Sequence, residues 1–219
     1  LGDVYKRQDI DLEYAEKYLL LSADSNNYKA QYMLGKLYQS DNKKDLQKAE
    51  KVLIKGAENA QDKTGLCEYS LGKLYLSQER YDKAASYLER SAAKDNYYAA
   101  YTLGKLYQEQ FNDNALAEKH LMHAAEHKDD VMGIAAYRLG KLYLSFQDKR
   151  KALQYFIKAA DKDNVYGMYA AGKILLDSRK STEVSKGIRY LSSAADKDFE
   201  PAIYLSLIHI SEPTRLGMI

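Results

Sequence analysis

Small and hydrophobic residues recur along the chain at positions i, i+3, i+4, i+7 and i+8. Ala49, Val52, Leu53, Gly56 and Ala57 form one such set, and Ala84, Tyr87, Leu88, Ser91 and Ala92 form another. The template also fits Ala117, His120, Leu121, Ala124, Ala125, then Ala152, Tyr155, Phe156, Ala159, Ala160, and then Gly187, Tyr190, Leu191, Ala194, Ala195. Ala15, Tyr18, Leu19, Ser22 and Ala23 add a sixth copy near the N-terminus. This spacing draws one stripe along an amphipathic helix. The small pair that ends each stripe lets a neighbouring backbone approach closely.

Between these stripes lies a second pattern, A-x-Y-x-L-G-K-L-Y, seen as Ala30, Tyr32, Leu34, Gly35, Lys36, Leu37 and Tyr38. The segment LGKLY stands at 34–38, 71–75, 103–107 and 139–143, and AGKIL replaces it at 171–175. At roughly 100° per residue, Ala30, Leu34 and Leu37 gather on one side of a second helix. A glycine inside a helix costs about 1 kcal/mol relative to alanine. Gly35, Gly72, Gly104, Gly140 and Gly172 are therefore expected to have a structural role, a close helix–helix contact. The tyrosine at the end of the pattern (Tyr38, Tyr75, Tyr107, Tyr143; Leu175 in the fifth copy) is expected to pack over the gap.

The connections carry the polar residues. From the end of each stripe to the next glycine the spacing alternates between 12 and 15 residues. The extra residues fall in NAQDKTG and EHKDDVMG, read as polar links that tolerate insertion. An antiparallel helix pair recurring about every 34 residues predicts stacked hairpins in an α-solenoid.

The pattern A-x-Y-x-L-G-x-L-Y followed by K-A-x-x-Y-x-x-K-A-A-D resembles the Sel1-like repeats, relatives of the tetratricopeptide repeats. Hairpin loops such as SQERYDK are nearer to the tetratricopeptide form than to the glycine-rich Sel1 form. The resemblance covers residues 9–205 and implies an all-α fold: a right-handed α-solenoid of about five antiparallel helix pairs. It further implies a non-enzymatic scaffold or adaptor whose first helices line a concave surface for protein partners. An alternative follows from the likeness of LGKLY arrays to segments attached to bacterial conjugative relaxases. On that alternative the array is an accessory region of a larger enzyme, with catalysis outside this chain.

Both ends break the period. LGDVYKRQ at 1–8 matches no repeat. After DKDFEPAIYL, Leu207 stands where the next glycine is due, and IHISEPTRLGMI has no periodicity. Residues 1–8 and 206–219 resemble translated adapter or vector sequence, so the chain is read as an internal fragment with non-native ends.

Composition narrows the chemistry. The 33 basic and 31 acidic residues leave a formal charge of +2, which argues against a generic nucleic-acid binder. No stretch approaches the length and apolarity of a membrane helix. A lone Cys67 forms no internal disulfide and fits a reducing, cytoplasmic setting. It replaces the alanine of Ala30, Ala99 and Ala135 and reads as a small buried residue. His120, His123 and His127 share a helix face, but each occupies a slot filled elsewhere by a packing tyrosine or a surface lysine or arginine. No metal site, cofactor or catalytic residue is expected.

Tyrosine, at 21 of 219 residues, needs a role. Tyr32 and Lys36 lie roughly 200° and 240° around the helix from Ala30, away from its buried stripe. The pair returns as Tyr69–Lys73, Tyr101–Lys105, Tyr137–Lys141 and Tyr169–Lys173. By resemblance to tetratricopeptide repeats these positions face the groove. They predict an aromatic track beside a cationic one, suited to a carboxylate-bearing protein or peptide. Direct contact of the lysines with a DNA backbone is a weaker reading.

Overall fold

The computed structural model describes the backbone of residues 2–41 and 44–211 and the side chains of 12–41 and 44–205. Every regular element among them is a helix. The first unit, 1–112, holds α1 (Gly2–Asp24), α2 (Tyr28–Gln39), α3 (Leu46–Ala57), α4 (Leu66–Ser77), α5 (Tyr81–Ala93) and α6 (Tyr97–Glu109). The second, 113–219, holds α7 (Asn114–Glu126), α8 (Ile134–Ser145), α9 (Lys149–Ala160), α10 (Val165–Leu176), α11 (Ser181–Ala195) and α12 (Glu200–Ser211). The backbone of 2–8 continues α1 and that of 206–211 continues α12. The side chains of both segments predicted to be non-native, and everything from 212 onward, lie outside the described residues.

Within each unit every helix packs on the next, and in the first unit α4 also touches α2 and α6. The odd-numbered helices carry the stripes. Ala49, Leu53, Ala84, Leu88, Ala152, Phe156 and Leu191 are all buried. The glycines sit where predicted, but a different residue fills the space above them. A Cβ built on Gly35 would lie 2.4 Å from Leu53 Cγ, and one on Gly72 would lie 2.5 Å from Leu88 Cγ. On Gly140 it would lie 2.6 Å from Phe156 Cδ1, and on Gly172 it would lie 2.7 Å from Leu191 Cγ. The gap thus receives the large residue of the facing stripe rather than the tyrosine.

The tyrosines instead join successive hairpins. Tyr38 donates to Glu16 Oε1 at 2.8 Å and Tyr75 to Glu50 Oε1 at 2.7 Å, each acceptor lying on the preceding odd helix. Tyr143 does the same with Glu118. Tyr107, where Ala85 occupies the usual acceptor position, reaches Glu89 one turn further on, at 2.6 Å. The fifth copy has lost both partners together: Leu175 replaces the tyrosine, and Leu153 stands at the acceptor position.

These pairs make stability pH-dependent. Burial, followed by the hydrogen bond to Glu16, pushes the Tyr38 phenol from 10.0 up to about 12. Burial and their glutamates raise Tyr75 and Tyr143 as well. A folded-state pKa above the unfolded one means the contribution is complete below about pH 10 and is lost as pH rises through about 12. Urea midpoints are expected to fall across that window. The variant Tyr38→Phe/Tyr75→Phe/Tyr143→Phe should fall less steeply there; parallel curves for the two proteins would remove the tyrosines as the cause.

The connections differ from the prediction. The two longer ones are not passive spacers, because each buries an aspartate. Asp62 accepts from Leu66 N (3.2 Å) and Cys67 N (3.0 Å), and Asp130 accepts from Ala135 N (3.1 Å) and Ala136 N (3.4 Å). Each therefore caps the helix that follows. Gly65 and Gly133 complete these turns at φ +66° and +61°, pressed against Ser91 and Ala159, where a side chain would be both strained and crowded. The shorter connections use Asn27, Asn96 and Asn164 as caps. Two of these also reach back one repeat: Asn96 Nδ2 donates to Thr64 O at 2.9 Å and Asn164 Nδ2 to Met132 O at 2.8 Å.

Candidate functional site

The predicted tyrosine–lysine pairs lie on the even-numbered helices. Tyr32, Tyr69, Tyr101, Tyr137 and Tyr169 are half-buried, while Lys36, Lys73, Lys105, Lys141 and Lys173 are exposed. One helical turn separates each pair, and in three of them the ammonium lies over the ring face. Lys36 Nζ is 5.6 Å from the Tyr32 centroid, Lys73 Nζ 6.0 Å from Tyr69, and Lys141 Nζ 5.9 Å from Tyr137. Lys105 instead turns to Glu109, at 3.7 Å.

In the first unit the pairs come together. Tyr32, Lys36, Tyr69 and Lys73 line a hollow of about 380 Å³ between α2 and α4. Tyr69, Lys73, Tyr101 and Lys105 line a second, of about 480 Å³, between α4 and α6. Tyr69 and Lys73 belong to both, so the hollows adjoin. The floor of the first is tied across the helices by Gln39 Nε2, which donates to Ser70 Oγ at 3.1 Å. In the second unit Tyr137 and Lys141 lie on α8, and Tyr169 and Lys173 on α10.

The tyrosines are packed against their neighbours as well as partly exposed. Tyr69 packs against the core and meets Tyr98 at 6.0 Å between centroids; Tyr137 meets Phe156 and Tyr166, each at 5.7 Å. Burial pushes both phenols up, Tyr137 with a further rise from Tyr166.

The sequence reading missed part of the lining. Tyr81, Tyr98, Leu76 and Leu106 all face the second hollow. Tyr98 has a counterpart in Tyr166, two repeats later, but none in the repeat between. A residue that returns only in alternate repeats is invisible to a single-repeat template. His120 and His123 lie on α7 and His127 is its C-cap, with the His123 and His127 rings 6.4 Å apart. Among the described residues no group of three or more His, Cys, Asp or Glu is arranged to hold a metal ion. Cys67 is fully buried, and burial pushes its thiol well above the usual range. Among those residues no helix is long and apolar enough to cross a membrane.

Comparison with known proteins bears on both the repeats and the fold. Residues 66–96 and 135–163 each match a family profile described as tetratricopeptide repeat. The chain resembles the crystal structure of a Sel1 repeat protein from Oxalobacter formigenes at 24% identity, covering 85% of this chain and 80% of that one, with a TM-score of 0.60. It resembles BtubC from P. vanneervenii at 18% identity over 91% and 92% of the two chains, with a TM-score of 0.63. YrrB, described as a TPR protein with an unusual peptide-binding site, matches at 20% identity over 85% and 96%, with a TM-score of 0.58. No curated protein sequence matches.

Proposed function

Because this chain is an array of Sel1/tetratricopeptide-like repeats, we propose that it is a non-enzymatic scaffold that holds an acidic protein segment on its even-numbered helices. Repeats of this kind mediate protein–protein interaction, and YrrB, of like fold, has a peptide-binding site. The observation that carries the reading is the pair of adjoining hollows in the first unit, lined in register by Tyr32, Tyr69 and Tyr101 and by Lys36, Lys73 and Lys105. Half-buried tyrosines offer contact area whose conformational entropy is already spent, and the lysines favour carboxylates. The chain's near-zero net charge confines that preference to about a Debye length, roughly 8 Å at physiological salt.

The test is selection of a displayed random-peptide library on the protein alone, after which each enriched peptide is measured on Lys36→Glu/Lys73→Glu/Lys105→Glu. Enriched peptides should be acidic and should lose about tenfold or more in affinity for that variant. Their affinity should fall only gently with salt, unlike the steep log–log slope of a polyphosphate. Peptides that bind the variant as well as the parent, or duplex DNA that outcompetes them at physiological salt, would sink the proposal.

A further inference from the structure

The two hollows of the first unit differ in character, and we infer that they read a bipartite motif: a large apolar or aromatic side chain seated between α4 and α6, joined to a carboxylate lying between α2 and α4. This inference rests on the peptide-binding reading above and adds to it an anchor, an order and a direction.

The hollow between α4 and α6 is built from rings. Tyr69, Tyr81, Tyr98 and Tyr101 line it together with Leu76 and Leu106. Its rings hold each other in place: Tyr97 meets Tyr98 at 5.1 Å and stacks on Tyr101 at 6.4 Å, and Tyr98 meets Tyr69 at 6.0 Å. Such a pocket gains most from displacing water with an apolar group, and offset or edge-on ring contacts reward an aromatic one. Its own cation has an acidic neighbour, since Lys105 lies 3.7 Å from Glu109 along the same helix. A carboxylate placed there would meet Glu109 as well as the ammonium.

The hollow between α2 and α4 has fewer rings, Tyr32 and Tyr69, and more of its lining is polar. Gln39, Ser40 and Ser70 give it a polar floor, and Lys36 and Lys73 stand at its rim with no carboxylate in the lining. Two ammonium groups without an acidic neighbour in that lining favour an anionic group. The hollows share Tyr69 and Lys73. A single short segment therefore spans both, with its anchor towards α6 and its acid towards α2. A polyanion, by contrast, would bring charge onto the aromatic half, where Glu109 stands beside Lys105.

The experiment uses peptides enriched by the selection above and the full chain. Each peptide is measured by fluorescence anisotropy against Tyr98→Ala/Tyr101→Ala and against Lys36→Gln/Lys73→Gln, once thermal melts have shown both variants folded. The expected peptides carry one large apolar residue at a fixed spacing from an Asp or Glu. Replacing the anchor by alanine and making the tyrosine variant should each cost about tenfold and, combined, little more. Replacing the acid by its amide and making the lysine variant should behave likewise, as a second coupled pair. Face-sensitive peptides lacking the paired spacing, or an acid coupled to the tyrosine variant instead of the lysine one, would overturn the motif while leaving the binding face intact. Peptides indifferent to both variants would remove the binding face itself, as would a library with no enrichment.

Discussion

Replacing Gly140 by valine will lower stability by about 3 kcal/mol, the upper end of what overpacking a tight core costs. A Cβ there would meet Phe156 Cδ1 at 2.6 Å, Cε1 at 2.7 Å and Ala152 O at 3.2 Å. None of these can give cheaply: Phe156 is a rigid, fully buried ring, and Ala152 O belongs to the backbone of α9. Valine gains only a few tenths of a kcal/mol of helix propensity over glycine, so the steric term wins. Gly140→Ala should cost less, and Phe156→Ala should create a cavity costing about 3 to 5 kcal/mol. The double variant Gly140→Ala/Phe156→Ala is then expected to be more stable than the sum of its parts, because the new methyl enters the space the ring has left. Urea melts of the four proteins measure this coupling; strictly additive effects would show that glycine and ring do not compete for one space.

How much of this was legible follows from how local each signal is. The stripe Ala84, Tyr87, Leu88, Ser91, Ala92 and the segment LGKLY each lie within one helix, where a fixed rotation per residue converts spacing into a face. The same arithmetic set Tyr69 and Lys73 side by side. Whatever crosses between helices was harder to read. Nothing in the spacing says that Phe156 rather than Tyr143 covers Gly140, because the two candidates sit on different helices and both repeat. The Tyr75–Glu50 bond had a signal, the joint appearance of Leu175 and Leu153, but it emerges only when a residue of one repeat is compared with a residue of the one before. The longer connections misled for another reason. Asp62 and Asp130 look in a sequence like any loop aspartate, and burial turns them into helix caps. The lysines Lys94 and Lys162 likewise read as surface residues, yet they reach back one repeat to Glu68 and Asp130.

That reach makes Lys94 a sensitive charge in the first unit. Lys94 Nζ donates to Glu68 Oε1 at 2.6 Å and to Asp62 O at 2.8 Å. Glu68 is 1% exposed, and its Oε2 has no hydrogen-bond partner. Lys94→Ala therefore leaves a buried carboxylate facing only Arg90, whose Nη2 is 3.5 Å from Oε1. Breaking a buried pair from one side costs about 3 to 5 kcal/mol, and the half-exposed Arg90 should hold the loss near the lower figure. Removing both partners is expected to cost far less, because the uncompensated charge leaves with Glu68. The second unit shows half of that arrangement: the position of Glu68 in α4 is held in α8 by Ala136, fully buried, while the lysine stays as Lys162 and pairs with Asp130 instead. Lys162→Ala should be milder than Lys94→Ala, since Asp130 keeps its bonds from Ala135 N and Ala136 N. Denaturant midpoints of Lys94→Ala, Glu68→Ala and the double variant decide the matter; a double variant no more stable than Lys94→Ala would mean the carboxylate is not what the lysine compensates. The effect should carry to the binding face as well. Asp62 anchors the start of α4, and α4 bears Tyr69 and Lys73, the two residues both hollows share. Peptide affinity should weaken in Lys94→Ala and stay weakened in the double variant, which lacks the same bond from Lys94 to Asp62 O, even as its midpoint recovers.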